Sequence, residues 1–140
     1  MKICVIDGQG GGIGNALIKK IKAAFQEKVE VVALGTNAIA TAQMMKAGAN
    51  RGASGENAIV LTVPKVDVVV GPISIVLANS MMGEMSPAMA AAVASSPAPK
   101  LLLPLTQENV EVIGVLPEPL PHLVDYLVER RLRPLVAGNG

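Results

Sequence analysis

The sequence predicts an α/β fold, a three-layer αβα sandwich around a mostly parallel sheet of about five strands. Three observations carry that prediction. Short β-branched runs alternate with segments whose apolar residues recur at spacings of three and four, as when strands exchange with helices. The strand runs are apolar without interruption, the composition of strands covered by helices on both faces. A glycine-rich turn directly follows the first strand. With 140 residues, 51% hydrophobic and 16% charged, one core is expected: a single domain over residues 1–135 and a flexible tail at 136–140.

Lys2 to Ile6 reads as the first strand. Ile13, Leu17, Ile21, Ala24 and Phe25 then share one helical face, with Asn15, Lys19, Lys22 and Gln26 outward. Val29 to Leu34 is a second buried strand. Thr36 or Asn37 can cap an Ala-rich helix that runs through Ala47 and stops at Gly48. Ala49 to Asn57 is polar and glycine-punctuated, the composition of a loop, and Ala58 to Val63 is a short apolar run that fits strand or helix, with a short helix the preferred reading. Val66 to Val70 is a third strand ending at Gly71-Pro72. Two small apolar helices are expected next, the second opened by Ser86 with Pro87 at its first position. Lys100 to Leu105 and Val110 to Val115 complete the strands, and Thr106 to Asn109 between them suits a hairpin turn, which would make the last strand antiparallel. Leu120, Leu123, Val124, Leu127 and Val128 mark a closing amphipathic helix.

Composition excludes several classes of function. Twelve Lys and Arg against eleven Asp and Glu leave a net charge of +1, too weak a field for sequence-independent nucleic-acid binding. The only aromatics are Phe25 and Tyr126, so stacking platforms for single strands are missing as well. One cysteine, Cys4, and one histidine, His122, preclude a disulfide framework and argue against a zinc site; Cys4 reads as a small core residue and His122 as a surface one. The N-terminal apolar run ends at Asp7, far short of a secretion signal, so a cytosolic protein is expected. Gly71 to Pro99 holds Glu84 as its sole ionisable group but is interrupted too often to cross a membrane. Its methionines Met81, Met82, Met85 and Met89 exceed what one helical layer needs, which predicts a homodimer or higher homo-oligomer.

The segment Gly8, Gln9, Gly10, Gly11, Gly12, Ile13, Gly14 lies between the first strand and first helix. Helix N-termini expose unpaired N–H groups and the positive end of the helix dipole, and glycines let an anion approach them. This location makes the fold Rossmann-like and the loop a candidate cofactor site for a nucleotide or another small anionic ligand. The dinucleotide pattern G-x-G-x-x-G fails at Ile13, whereas G-x-x-x-G-x-G fits Gly8, Gly12 and Gly14. The latter spacing resembles the cofactor loop of short-chain dehydrogenases. That resemblance implies NADP, NAD or another nucleotide. However, Gly35, Thr36 and Asn37 stand where a ribose-binding carboxylate would end the second strand, and no Tyr-x-x-x-Lys pair occurs. No Gly-Lys-Ser/Thr follows, which excludes a P-loop. Asp7 beside the loop can bind a ribose hydroxyl, a metal-bound water, or the helix N–H groups themselves.

Over almost the whole chain, VIDGQGGGIG, ALGTNAIAT, KAGANRGASGENAIV, GPISIVLANSMMGE and SPAMA resemble a family of small bacterial proteins described as domain of unknown function 3842. The resemblance implies a nucleotide-binding-like fold and transfers no catalytic residue.

Loops beyond the carboxyl ends of the strands supply further candidates: Thr36 and Asn37 near an adenosine end, and Gly71 and Pro72 after the third strand. Arg51 can clamp a phosphate or carboxylate, or pair with Glu56; Asn57 can orient a substrate, or start a helix with Glu56. Asn79 would need a partner if buried, in a ligand, another subunit or its own backbone. The leading expectation is a small-ligand-binding protein with no catalytic group assigned. The alternatives are a small oxidoreductase or transferase working through Asp7, Arg51 and Glu56, and a structural subunit.

Overall fold

A computed structural model describes residues 1–139. Five strands form one parallel sheet in the order β3-β2-β1-β4-β5: β1 (Lys2–Asp7), β2 (Glu30–Gly35), β3 (Arg51–Ser54), β4 (Val68–Pro72) and β5 (Lys100–Leu103). The helices are α1 (Gly12–Phe25), α2 (Ala38–Lys46), α3 (Glu56–Thr62), α4 (Pro87–Ser95), α5 (Leu120–Tyr126) and α6 (Arg133–Asn139). None is long and apolar enough to cross a membrane among the described residues.

Alternation within the strands divides the core. Ile3 and Val5 of β1 face Leu17, Ile18 and Ile21 of α1 and Val124 of α5 on one side. Cys4 and Ile6 face Ile59 of α3 and Met89 and Val93 of α4 on the other. Both faces of each central strand are therefore apolar, which explains the uninterrupted hydrophobic runs. Each fully buried Ile, Leu or Val contributes about 1.5–3 kcal/mol relative to exposure. Local signals agree with the packing: the Asn37 carboxamide oxygen caps α2 by accepting the Ala40 N–H at 2.8 Å, and the Ser86 hydroxyl caps α4 by accepting the Met89 N–H at 3.2 Å.

The fifth strand is not the expected one. Arg51 to Ser54, assigned to a polar loop, is the edge strand β3, paired in parallel with Val32 to Gly35 and exposed at all four residues. An edge strand held through backbone bonds and by the Thr41 hydroxyl against Ser54 at 2.7 Å needs no apolar side chains, so its composition hides it. Val110 to Val115, expected to be an antiparallel strand, forms none, and the sheet is wholly parallel. After Leu103 the chain turns at Pro104 over the carboxyl end of the sheet, and Ile113 is left 83% exposed and Leu116 76%.

The first of the two small helices after β4 is only a 3-10 turn, Ile73–Val76, followed by consecutive turns to Ser86. Within the methionine-rich stretch Met85 and Met89 are buried against their own chain, at 0% and 2% exposure, while Met82 is 95% exposed. The closing helix widens into a π-helical segment, Leu127–Leu132, just ahead of Pro134, which has no N–H to donate. It then continues through Val136 to Asn139, positions expected in a flexible tail. Gly140 lies outside the described residues.

Candidate functional site

Chain order reverses between β1 and β4. From β1 the chain adds β2 and β3 on one side, then returns to place β4 against the other. At such a switch point the loops leaving two adjacent parallel strands diverge and open a crevice beyond the carboxyl ends. The structure has a cavity of about 530 Å³ there. Asp7, Gly8, Gln9 and Ile13 line it from the β1 side and Pro72 and Ser74 from the β4 side, while Asn79, Met81, Met82 and Gly83 close one flank and Leu105, Thr106, Gln107 and Glu108 the other.

The glycine loop turns as its composition requires. Gly11 has φ 74° and a Cβ there would lie 2.9 Å from the Ala40 backbone, so only glycine fits without displacing α2. Gly8 and Gly14 are tightly enclosed, Gly14 by the Met44 sulfur and Asp7 Cβ. Gly10 and Gly12 face open space.

The N–H groups exposed by this turn are largely claimed by side-chain carboxylates. Asp7 Oδ1 accepts the Gly8 N–H at 2.8 Å and Oδ2 the Gly14 N–H at 2.7 Å. Glu84 Oε1 accepts the Gln9 N–H at 2.8 Å, the Thr36 hydroxyl at 2.7 Å and the Asn37 amide at 2.9 Å. Of the readings open for Asp7, the geometry corresponds to the one in which it binds the helix N–H groups. Burial pushes the Asp7 carboxyl above its ordinary value, the Gly14, Gly8 and Ile13 N–H groups pull it down, and the neighbouring Glu84 charge raises it further. Burial works to raise Glu84 also, but the hydrogen bonds from Thr36, Gln9 and Asn37 outweigh it and hold that carboxyl below its usual value.

The opposite flank is tied by a third carboxylate: Glu108 Oε1 accepts the Met81 N–H at 3.0 Å. Thr106 accepts from the Ser74 hydroxyl at 3.0 Å, and Ser80 donates to the Ser74 carbonyl at 2.6 Å. The intervening turns carry unusual backbone conformations, with φ 66° at Asn79 and 56° at both Met81 and Met82. Left-handed conformations of non-glycine residues cost about 1–2 kcal/mol each, and they concentrate here at the cavity wall.

The expected site residues divide unevenly. Gly8, Gln9, Ile13 and Pro72 line the cavity; Gly10 belongs to the same turn, and Gly12 and Gly14 lie in the first turn of α1. Thr36 and Asn37 reach the loop, where Asn37 donates to the Gln9 carbonyl at 3.0 Å, but both are engaged by Glu84. Gly71 is buried against the Ile6 carbonyl, where it permits close strand packing. Arg51 is not at the site. It belongs to β3 and its guanidinium pairs with Glu30 at 2.6 Å rather than with Glu56, because the parallel register sets it beside Val32, two positions from Glu30 on the same face of β2. Asn57 is exposed in the first turn of α3, and its neighbour Glu56 accepts from the Ser86 hydroxyl. Asn79, expected within a helix, is an exposed turn residue on the cavity wall.

Glu84 and Glu108 were not singled out by sequence reasoning. Glu84's isolation in a stretch otherwise free of charge was the available signal; nothing marked Glu108. Cys4 is buried and its thiol is pushed up to about 12 by that burial, an unreactive core group. No group of three or more His, Cys, Asp and Glu is placed to hold a metal ion among the described residues.

No curated protein matches the chain. The family model described as domain of unknown function 3842 matches residues 2–135, and the chain belongs to that family.

Proposed function

We propose that this protein binds a small organic metabolite, a nucleotide or another phosphorylated compound, in the cavity at the carboxyl ends of β1, β4 and β5, with the glycine loop as one wall. The observation that carries this reading is the coincidence of a cavity of about 530 Å³ with the one place where strand order reverses. Small-molecule sites commonly measure about 300–1,000 Å³ and combine apolar walls with a few polar groups. Ile13, Pro72, Met81 and Leu105 supply such walls, and Asp7, Ser74, Thr106 and Glu108 the polar groups. NADP, NAD and simpler nucleotides all fall within the proposed class, and no catalytic role is assigned. Of the residues that an oxidoreductase or transferase reading would need, only Asp7 lines the cavity; Arg51 and Glu56 are engaged elsewhere.

The test uses the protein's own optics. With no Trp and one Tyr, protein absorbance is weak, so co-purifying adenine or guanine would dominate the near-ultraviolet spectrum. A nucleobase band in the purified protein, or a rise in melting temperature with added nucleotides or sugar phosphates, supports the reading. Absence of both overturns it.

A further inference from the structure

We propose that the ligand enters with a hydroxyl- or amino-bearing end toward Asp7 and Glu108, so that any phosphate it carries stays outside, at the Gly10 and Gly12 edge of the loop. This rests on the binding function proposed above and specifies the polarity of that same site.

The inference starts from which donors remain. The inward N–H groups that a phosphate would seek are occupied: Gly8 and Gly14 by Asp7, Gln9 by Glu84, and Gly11 by the Gly8 carbonyl at 2.9 Å. Gly10 and Gly12 differ, since a Cβ on either would meet nothing within 4 Å, so the space beside their Cα atoms is open.

The cavity itself lacks positive charge. Its lining contains two carboxylates, Asp7 and Glu108, and no Lys, Arg or His. A phosphate brought inside would face like charge with no cation and no unclaimed inner amide, and desolvation would strengthen the repulsion. Vicinal hydroxyls or an ammonium group would instead donate to carboxylate lone pairs that remain free, since each carboxylate oxygen accepts more than one hydrogen bond. The Ser74 and Thr106 hydroxyls are neutral neighbours that suit the same donors.

The experiment compares matched pairs by titration calorimetry on the full chain: adenosine with adenosine monophosphate, guanosine with guanosine monophosphate, ribose with ribose 5-phosphate, and glucosamine with its 6-phosphate. Each is repeated with Glu108→Gln, which keeps an oxygen for the Met81 N–H but loses the charge. The expected result is a pair whose unphosphorylated member binds within about threefold of its phosphorylated partner, and about tenfold more weakly to Glu108→Gln, the usual loss when a charge-assisted hydrogen bond becomes neutral. If the phosphorylated member of every binding pair is favoured by more than about tenfold, with Glu108→Gln neutral or tighter, the polarity is wrong while the binding function stands. If no compound binds, the proposed function falls and this inference with it.

Discussion

Asp7 and Gly14 meet at 2.7 Å, carboxylate to helix N–H, across the turn that joins β1 to α1. The protein thereby places its own anion at the helix N-terminus, where the macrodipole and unpaired amides favour one. A carboxylate in this position also determines what else the loop accepts, because it takes the inward amides and contributes negative charge.

Asp7→Asn tests that role. Asparagine retains one acceptor oxygen but turns an NH2 group toward one of the two amides that Asp7 now satisfies. Leaving a buried N–H without an acceptor costs about 1–3 kcal/mol, although relief of the repulsion by Glu84 offsets part of it. The expected outcome is a lower melting temperature, by roughly 2–4 °C per kcal/mol for a domain of this size, with the gap to the wild type largest below the ordinary aspartate value of 3.8 and narrowing as pH rises through the raised folded value. An unchanged melting temperature would show that the pair contributes nothing net.

Glu84 gives a prediction with a definite sign. Its folded-state value is lowered, so the stability contributed by its ionised form is complete above the ordinary glutamate value of 4.5 and is lost as pH falls through the lower folded value. The melting-temperature gap between the wild type and Glu84→Gln should therefore be constant from neutral pH down to about the ordinary value of 4.5 and close as pH falls from there through the lower folded value. Asp7 responds oppositely: its folded value is raised, so its contribution is present below the ordinary aspartate value of 3.8 and lost as pH rises through the folded value. Glu84→Gln removes one cause of that rise, and carboxyl carbon shifts followed by NMR should show Asp7 titrating at lower pH in the variant. A titration of Asp7 that does not move would mean the two charges are uncoupled.

How much of this was legible before the structure depends on whether a residue's role is local. Asn37 and Ser86 cap helices through contacts three residues away, and the apolar runs of β1, β2 and β4 record burial on both faces; both kinds of signal lie within a short window. The exposed strand β3 carries no burial signal, since its register comes from β2 and from Thr41. Val110 to Val115 shows the converse, a β-branched run that joins no strand of the sheet. At the site, the glycine turn and Asp7 were visible because they are contiguous. Glu84 contacts Gln9 across 75 positions and Glu108 contacts Met81 across 27, separations at which one sequence carries no pairing information. Arg51 was misplaced for the same reason, because a glycine-rich neighbourhood does not reveal which strand edge it joins.

The glycines should separate by role. Gly11→Ala combines a left-handed φ of 74° with a Cβ only 2.9 Å from Ala40 backbone atoms. It should lose more than the roughly 1–2 kcal/mol of the conformation alone, seen as a melting temperature several degrees lower. Gly12→Val places its Cβ in open space, and Val is favoured over Gly in a helix by about a few tenths of a kcal/mol. It should fold nearly as the wild type while weakening phosphorylated ligands at the outer edge of the loop. Unaltered affinity for such ligands would remove Gly12 from the site.

Met82 is the clearest case of a residue whose conformation is not explained by packing. It is 95% exposed and holds φ 56°, so it spends conformational energy without gaining burial. Residues in such states persist where the surroundings impose them, and ligand clamps are one setting where they collect. Asparagine tolerates the left-handed region better than methionine, and an exposed position offers no packing to lose. Met82→Asn should therefore stabilise the free protein by some fraction of the roughly 1–2 kcal/mol that the left-handed conformation costs. If the methionine instead serves the ligand, as an apolar cover over the cavity mouth, the same change should weaken binding severalfold. A binding titration run beside the thermal melt separates the two effects: gain in stability with loss of affinity assigns Met82 to the ligand, whereas gain with unchanged affinity leaves it a strained turn residue and nothing more.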